Sequence, residues 1–121
     1  MKRLIELALD RATTLGATYA DVRVGHQVNE SVSVRRGAVG SVSSSESKGA
    51  GIRAIVDGAW GFASTPDLTP ESIRKTAEAA CSIARASARC KTHDVVLSDE
   101  DPVHDTYRTP ARTDPFTVKI E

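Results

Sequence analysis

Hydrophobic residues near the start of the chain recur at spacings of three and four. Ile5, Ala8, Leu9, Ala12 and Leu15 follow this pattern, while the charged side chains between them fall largely on other faces. A stripe with this period is typical of an amphipathic helix whose apolar side packs on a core. The pattern therefore predicts a helix over residues 3–15, and the glycine that follows is a natural end for it.

From Tyr19 the apolar period changes to two, which is typical of strands with one buried and one wet face. Arg36-Gly37 and Asp57-Gly58 are turn sequences, and the Asp-Gly pair is a strong hairpin signal because both residues tolerate a positive φ. The pattern predicts an antiparallel meander of about five strands, of which the serine-rich third can be an edge strand or a mobile loop. The predicted strands cover residues 19–25, 28–35, 39–47, 52–56 and 59–63.

A second helix is predicted to open at Thr69-Pro70, because Thr69 can cap it and proline suits its first position. A narrow stripe of mostly small residues follows, which lets a helix lie close on a sheet. The stripe consists of Ile73, Ala77, Ala80 and Ala84. We expect the helix to end near residues 89–91. Helices that flank a run of sequential strands predict an α+β fold, with both helices on the apolar face of the sheet.

The size and charge of the chain narrow the possible functions. The 121 residues fit one domain, and 16 basic and 16 acidic side chains give a formal net charge of zero. Nucleic-acid binding needs a clustered basic surface, so we expect no nucleic-acid partner. No segment approaches the roughly 20 apolar residues of a membrane helix, so we expect no membrane contact. Cys81 and Cys90 are too far apart on one helix for a disulfide, and reduced thiols suit a cytoplasmic protein.

None of the motifs that carry catalysis or metal binding is complete in this sequence. The histidines are His26, His93 and His104, without a His-Glu-x-x-His or paired Cys-x-x-Cys motif. Cys90 and His93 have a ligand-like spacing, but a zinc site needs three or four ligands, so surface positions are the favoured interpretation. Gly49-Ala50-Gly51 precedes a strand rather than a helix, unlike a phosphate-binding loop. We therefore predict no catalytic and no metal-binding residue.

The hairpin over residues 49–65 is the candidate functional site, because glycines surround a strand pair that holds the only tryptophan. Glycine in a strand permits a bulge or a close approach of another backbone. The candidate residues are Gly49, Gly51, Arg53, Trp60, Gly61 and Phe62. In a structural interpretation, Gly61 lets another segment of the chain pack beside Trp60 and Phe62. In a functional interpretation, the hairpin edge accepts an extended peptide or a second domain by β-strand addition.

Four segments of the chain together carry a family resemblance. They are Tyr19-Ala20-Asp21-Val22-Arg23-Val24, Val32-Ser33-Val34-Arg35-Arg36-Gly37, Glu46-Ser47-Lys48-Gly49-Ala50-Gly51-Ile52-Arg53 and Asp57-Gly58-Ala59-Trp60-Gly61-Phe62-Ala63-Ser64-Thr65. In this order they resemble the N-terminal domain of the TldD/PmbA family, also called modulators of DNA gyrase. The resemblance runs from about Leu4 to Ala88, and the segment around Trp60 is more similar to the zinc-bearing TldD type.

The resemblance implies a cytoplasmic zinc-dependent peptidase that forms two-subunit assemblies. The zinc helix of the family carries a His-Glu-x-x-x-His motif after this domain, and the present sequence contains no such motif. We therefore expect an α+β N-terminal domain over residues 1–91 and a connector over residues 92–121 toward a missing C-terminal catalytic domain. In the connector, Phe116, Val118 and Ile120 alternate as at the start of another element.

For the intact protein, the resemblance implies zinc as the cofactor, a peptide substrate, and a homologous partner subunit in a heterodimer or homodimer. The peptidase would act in proteolysis of peptides or unfolded proteins, and this domain would help form the substrate path or the subunit interface. An alternative stays open, namely a protein-interaction module that modulates DNA gyrase without peptidase activity.

Overall fold

The computed structural model describes residues 1–119, which form two α-helices and one three-stranded sheet. The α+β class predicted from the sequence is confirmed. The elements in chain order are α1 (Lys2–Thr14), β1 (Tyr19–Arg35), β2 (Ala38–Val56), β3 (Ala59–Thr65), α2 (Pro70–Ala88) and a short 3-10 helix (Pro115–Thr117). The strand order is β1-β2-β3, so that β2 is central and β3 forms one edge.

The sheet has three strands rather than the predicted five. The first two predicted strands form the single strand β1, and the next two form β2. The prediction divided them where the alternation of apolar and polar residues weakens. A ladder requires only paired backbones, so both strands continue through stretches whose side chains are all exposed. The expected buried face is absent over residues 28–47, although valines alternate with polar residues in part of this stretch. The serine-rich run that ends at Ser47 is therefore strand and not loop.

Two tight turns of the same kind join the three strands. Arg36-Gly37 has φ angles of 54° and 76°, and Asp57-Gly58 has φ angles of 51° and 74°. Positive φ at both central residues is the signature of the type I′ turn, whose twist matches that of the flanking strands. Such turns reverse the chain, so neighbouring strands run antiparallel, and the ladder between β2 and β3 begins with Val56 opposite Ala59.

Both helices cover one face of the sheet, as predicted. On that face of β2, Ile52 and Ala54 are completely buried. The small-residue stripe of α2 is buried against the same core. Its members Ile73, Ala77, Ala80 and Ala84 all have at most 1% of their surface exposed. Because three of these four residues are alanines, α2 approaches the sheet closely, and Ile73 is the large apolar anchor among them.

The helix ends follow the signals read from the sequence. Thr69 caps α2, since its hydroxyl oxygen accepts the Ser72 N–H at 3.3 Å, and Pro70 is the first helical residue. The Asp67 carboxylate accepts hydrogen bonds from the Ser72 and Thr69 hydroxyls, which lowers the pKa of Asp67. The end of α1 is followed by Gly16, whose φ of 88° favours glycine.

Both cysteines are free, as expected from their separation. Cys81 belongs to the buried side of α2, and burial raises the pKa of its thiol. Cys90 is exposed just beyond the end of α2. Among the helices of residues 1–119, none is both long and apolar enough to cross a membrane.

The chain divides into two groups of residues with dense internal contacts. The first comprises residues 1–29 and 45–96 and contains both helices, β3 and one end of the β1–β2 hairpin. The second comprises the tip of that hairpin, residues 30–44, and, of the described residues, 97–119. The boundary after residue 91 stays a prediction. Of the alternating residues near the end of the chain, Ile120 lies outside the described residues.

Candidate functional site

The β2–β3 hairpin divides the candidate residues between the two faces of the sheet. Side chains alternate along a strand, and the register places Arg53 opposite Phe62 and Ala54 opposite Gly61. Gly61 therefore shares the helix-covered face with the buried Ala54. Arg53, Phe62 and Trp60 share the opposite face, which we call the open face because neither α1 nor α2 packs on it.

Gly61 is the point where α2 comes closest to β3. A Cβ added here would lie inside the contact distance of the Ala80 carbonyl oxygen and 2.5 Å from the Ala84 amide nitrogen. Both are backbone atoms of a packed helix, so they cannot move aside as the end of a flexible side chain can. The segment that packs against Gly61 is thus α2, in line with the structural interpretation of this glycine.

The open face carries aromatic and charged side chains around Trp60. The guanidinium carbon of Arg53 lies 5.1 Å from the centroid of the Trp60 ring, within the range of a cation–π interaction. Tyr19 meets the same ring edge-on, with centroids 5.7 Å apart and an angle of 88° between the planes. Asp21 orients the arginine, because one of its carboxylate oxygens accepts from Nε at 2.8 Å and from Nη2 at 2.6 Å. This hydrogen bonding raises the pKa of Arg53.

Phe62 is the most exposed aromatic residue of the open face, with 55% of its surface accessible. Its ring lies against Gly51, where an added Cβ would be 3.1 Å from a ring carbon, so glycine at this position makes room for the ring. Ile83 of α2 is 46% exposed. A shallow groove joins these features and is lined by Arg53, Trp60, Gly61, Phe62 and Ile83.

The outer backbone of β3 is available for further pairing. In a two-residue hairpin the residues that flank the turn form a hydrogen-bonded pair, and hydrogen-bonded pairs then alternate along the ladder. From Ala59 onward, every second residue of β3 therefore directs its N–H and C=O toward β2. Trp60, Phe62 and Ser64 direct theirs away, toward a side where residues 1–119 place no fourth strand. We call this row of backbone groups the β3 edge.

The six candidate residues thus have different roles. Gly49 and Gly61 are packing positions, since a Cβ at residue 49 would lie 2.8 Å from the Thr65 carbonyl oxygen. Gly51 provides space for a ring of the open face. Arg53, Trp60 and Phe62 are brought together on that face, and the structure therefore assembles half of the predicted set into one surface.

Sequence reasoning missed Tyr19 and Asp21 of the open face, and Ile83 of the groove beside it. The first two share one face of β1, and two neighbouring strands with the same parity could have placed them beside Arg53. Ile83 gave a weaker signal, because an isolated apolar residue outside the buried stripe of a helix is common on protein surfaces.

The histidines do not form a metal site. His26 pairs with Glu46 across the exposed part of the β1–β2 hairpin, with 2.8 Å between Nε2 and the carboxylate oxygen. His93 contacts the Thr92 hydroxyl through Nδ1 at 3.0 Å. In the part of the chain that the structure describes, no three side chains of His, Cys, Asp or Glu are grouped so that they could hold a metal ion.

Comparisons with known proteins agree with the fold. A family model described as PmbA/TldA metallopeptidase domain 1 matches residues 20–84, just over half of the chain. The protein named Metalloprotease MJ0996 from Methanocaldococcus jannaschii is 25% identical over 103 residues, which is 85% of this chain and 23% of that protein.

Two solved structures have the same fold over most of this chain. A protein described as a modulator of DNA gyrase, from Bacteroides thetaiotaomicron, gives a TM-score of 0.64 at 25% identity and covers 81% of this chain and 22% of its own. TldE from Thermococcus kodakarensis gives a TM-score of 0.63 at 17% identity and covers 87% of this chain and 23% of its own. At the lower identity the likeness shows the fold alone.

The chain spans less than a quarter of the length of each of these relatives. The family match extends from the start of β1 through the candidate hairpin and most of α2. It therefore includes the sheet, the β3 edge and the helix that packs on Gly61. On this match, the chain belongs to the PmbA/TldD metallopeptidase family and contains the N-terminal domain of that family.

Proposed function

We propose that this chain is the non-catalytic N-terminal domain of a zinc-dependent peptidase that acts on peptides or unfolded proteins. The proposal rests on family membership together with the donor geometry, since residues 1–119 contain no group of three side chains that could bind a metal ion. Zinc sites in enzymes need at least three protein ligands. Residues 1–119 therefore do not fit the metal ion that the family name implies, and we propose that this ion is zinc and lies in another part of the intact protein.

Within that protein, the β3 edge forms part of the wall of the substrate path. An extended peptide can add to a strand edge through main-chain hydrogen bonds, while pockets for alternate side chains select among sequences. Phe62 and Ile83 both line the groove at this edge and are both half exposed, so they offer apolar contacts to the added strand. Backbone-directed binding tolerates many sequences, which suits a peptidase for peptides and unfolded proteins.

A capped hexapeptide that alternates valine and threonine should bind the β3 edge of the 121-residue chain. NMR titration should shift the backbone amides of Trp60, Phe62 and Ser64 more than those of the helix-covered face. Ser64→Pro removes a donor that points outward, where proline is tolerated in an edge strand. Because one main-chain hydrogen bond contributes about 1 kcal/mol, this variant should bind the peptide with about fivefold lower affinity.

Ser64→Ala is the matched control, since it removes the hydroxyl and keeps the N–H. It should bind the hexapeptide as the parent chain does. Unaltered circular dichroism of both variants would show that the fold is intact. Equal binding by the proline variant, or amide shifts that lie away from β3, would contradict this role for the edge. In that case, a homologous subunit becomes the next candidate partner for the β3 edge. Its binding can be measured with the same two variants.

A further inference from the structure

Two residues separate Lys91–Val95 from the end of α2. These five residues pack on the tight turn between β2 and β3. The ammonium group of Lys91 donates a hydrogen bond to the main-chain carbonyl of Asp57. The Val95 N–H donates to the carbonyl of Gly58 at 2.9 Å. Between these two anchors, the Asp94 carboxylate pairs with the Lys91 ammonium at 2.6 Å. We call residues 91–95 the strap.

Gly58 provides the surface on which the strap rests. An added Cβ would lie 2.5 Å from Oδ1 of Asp94 and 2.7 Å from Nζ of Lys91. The corresponding glycine of the other type I′ turn, Gly37, has nearly the same φ, but nothing lies within 4 Å of its added Cβ. Both turns therefore need glycine for their backbone conformation, whereas only the turn at Gly58 also needs the space that glycine leaves.

The environment of Lys91 differs from that of an ordinary surface lysine. Its side chain is 29% exposed, whereas Lys75, in an ion pair with Glu71 on α2, is 72% exposed. Its ammonium is bound both by a carboxylate and by a carbonyl, and hydrogen bonds to a charged group are stronger than neutral ones. Loss of this charge would remove the ion pair with Asp94 and weaken the hydrogen bond to the Asp57 carbonyl, so that the Val95 N–H would be the main remaining anchor of the strap.

We propose that the strap stabilises the turn at the start of β3 and that this contact depends on the charge of Lys91. With the Lys91 ammonium in place, the strap packs on the turn and holds its conformation. Without that charge, the strap releases the turn. The inference is independent of the proposed function, because it rests on contacts between the strap and the turn and not on any ligand of the β3 edge.

Amide hydrogen exchange of Val95 in the 121-residue chain tests the strap. The Val95 amide should be protected in the parent chain. Lys91→Gln removes the charge and should accelerate its exchange by about tenfold, as expected for the loss of a charge-assisted hydrogen bond. Lys91→Arg keeps the charge and should leave the rate within about twofold. The amide of Ala54, in the buried ladder, should be unaffected in all three proteins and thus separates local release from global unfolding.

A second pair of variants tests the contact between the strap and Gly58 without changing Lys91. Gly58→Ala and Gly37→Ala introduce the same positive-φ strain, but only the former displaces the strap. Val95 exchange should therefore accelerate in Gly58→Ala alone. An unprotected Val95 amide in the parent chain, equal rates in the two Lys91 variants, or equal acceleration by the two alanine variants would each overturn the proposal. If Lys91→Gln unfolds the chain, the comparison of Gly58→Ala with Gly37→Ala decides whether the strap packs on the turn.

Discussion

Gly61→Ala should destabilise the chain by about 3 kcal/mol or more, measured by urea denaturation. The added methyl group would meet backbone atoms of Ala80 and Ala84 in α2. To relieve this clash, α2 would have to move away from β3. That movement would open the core that the small-residue stripe of α2 fills. Domains of this kind are stable by only about 5–15 kcal/mol, so the loss would be a large part of the total.

Gly25→Ala is the matched control for this substitution. Gly25 also lies within a strand, without a positive φ, and nothing lies within 4 Å of its added Cβ. Alanine there restricts the unfolded chain and should stabilise the protein by about 0.4–1 kcal/mol or have no effect. The two strand glycines should thus respond differently, with a large loss of stability at Gly61 and none at Gly25. Similar small effects at both positions would mean that α2 does not pack on Gly61 as described.

Ile73→Ala should cost about 2–5 kcal/mol of unfolding free energy, the range for a fully buried isoleucine. Ile73 is 1% exposed and is the large side chain of the α2 stripe, packed in the cluster that contains Ile52. Its truncation would leave a cavity between α2 and the sheet. The loss should appear as a lower urea midpoint with an unchanged slope, since the native fold is retained.

Ile83→Ala provides the comparison on the same helix. Ile83 is 46% exposed, and alanine is the stronger helix former, so this variant should change stability by less than about 0.5 kcal/mol. The contrast between the two isoleucines separates burial from helix propensity. If Ile83→Ala were as destabilising as Ile73→Ala, Ile83 would belong to the core and not to the groove beside the β3 edge.

Local signals predicted most of the secondary structure. The cap at Thr69, the stripe of α2 and the Asp57-Gly58 turn each depend on residues close in sequence, and the structure contains all three. The error concerned strand continuity. Residues near Gly25 and Ser47 have no buried face, so their sequence carries no alternation, although their backbones still pair. The pattern therefore located the individual strand segments but could not show that neighbouring segments are continuous.

The candidate site could be predicted only in part, for a related reason. The hairpin register follows from the Asp57-Gly58 turn, so the pairing of Arg53 with Phe62 was available from the sequence. The contribution of β1 was available only as parity, because its alternating apolar residues mark which face is buried and so place Tyr19 and Asp21 on the face of Arg53. Gly61 was recognised as a close-approach position, but its partner, α2, is distant in sequence and could not be named.

Zinc content and peptide hydrolysis of the purified 121-residue chain test the central claim most directly. The claim is that this N-terminal domain folds around the core of α1, α2 and the sheet without a catalytic centre of its own. After incubation with zinc and removal of free metal, we predict far less than one zinc ion per chain and no hydrolysis of an unfolded protein substrate. One zinc ion retained per folded chain, together with hydrolysis that a chelator abolishes, would contradict the claim.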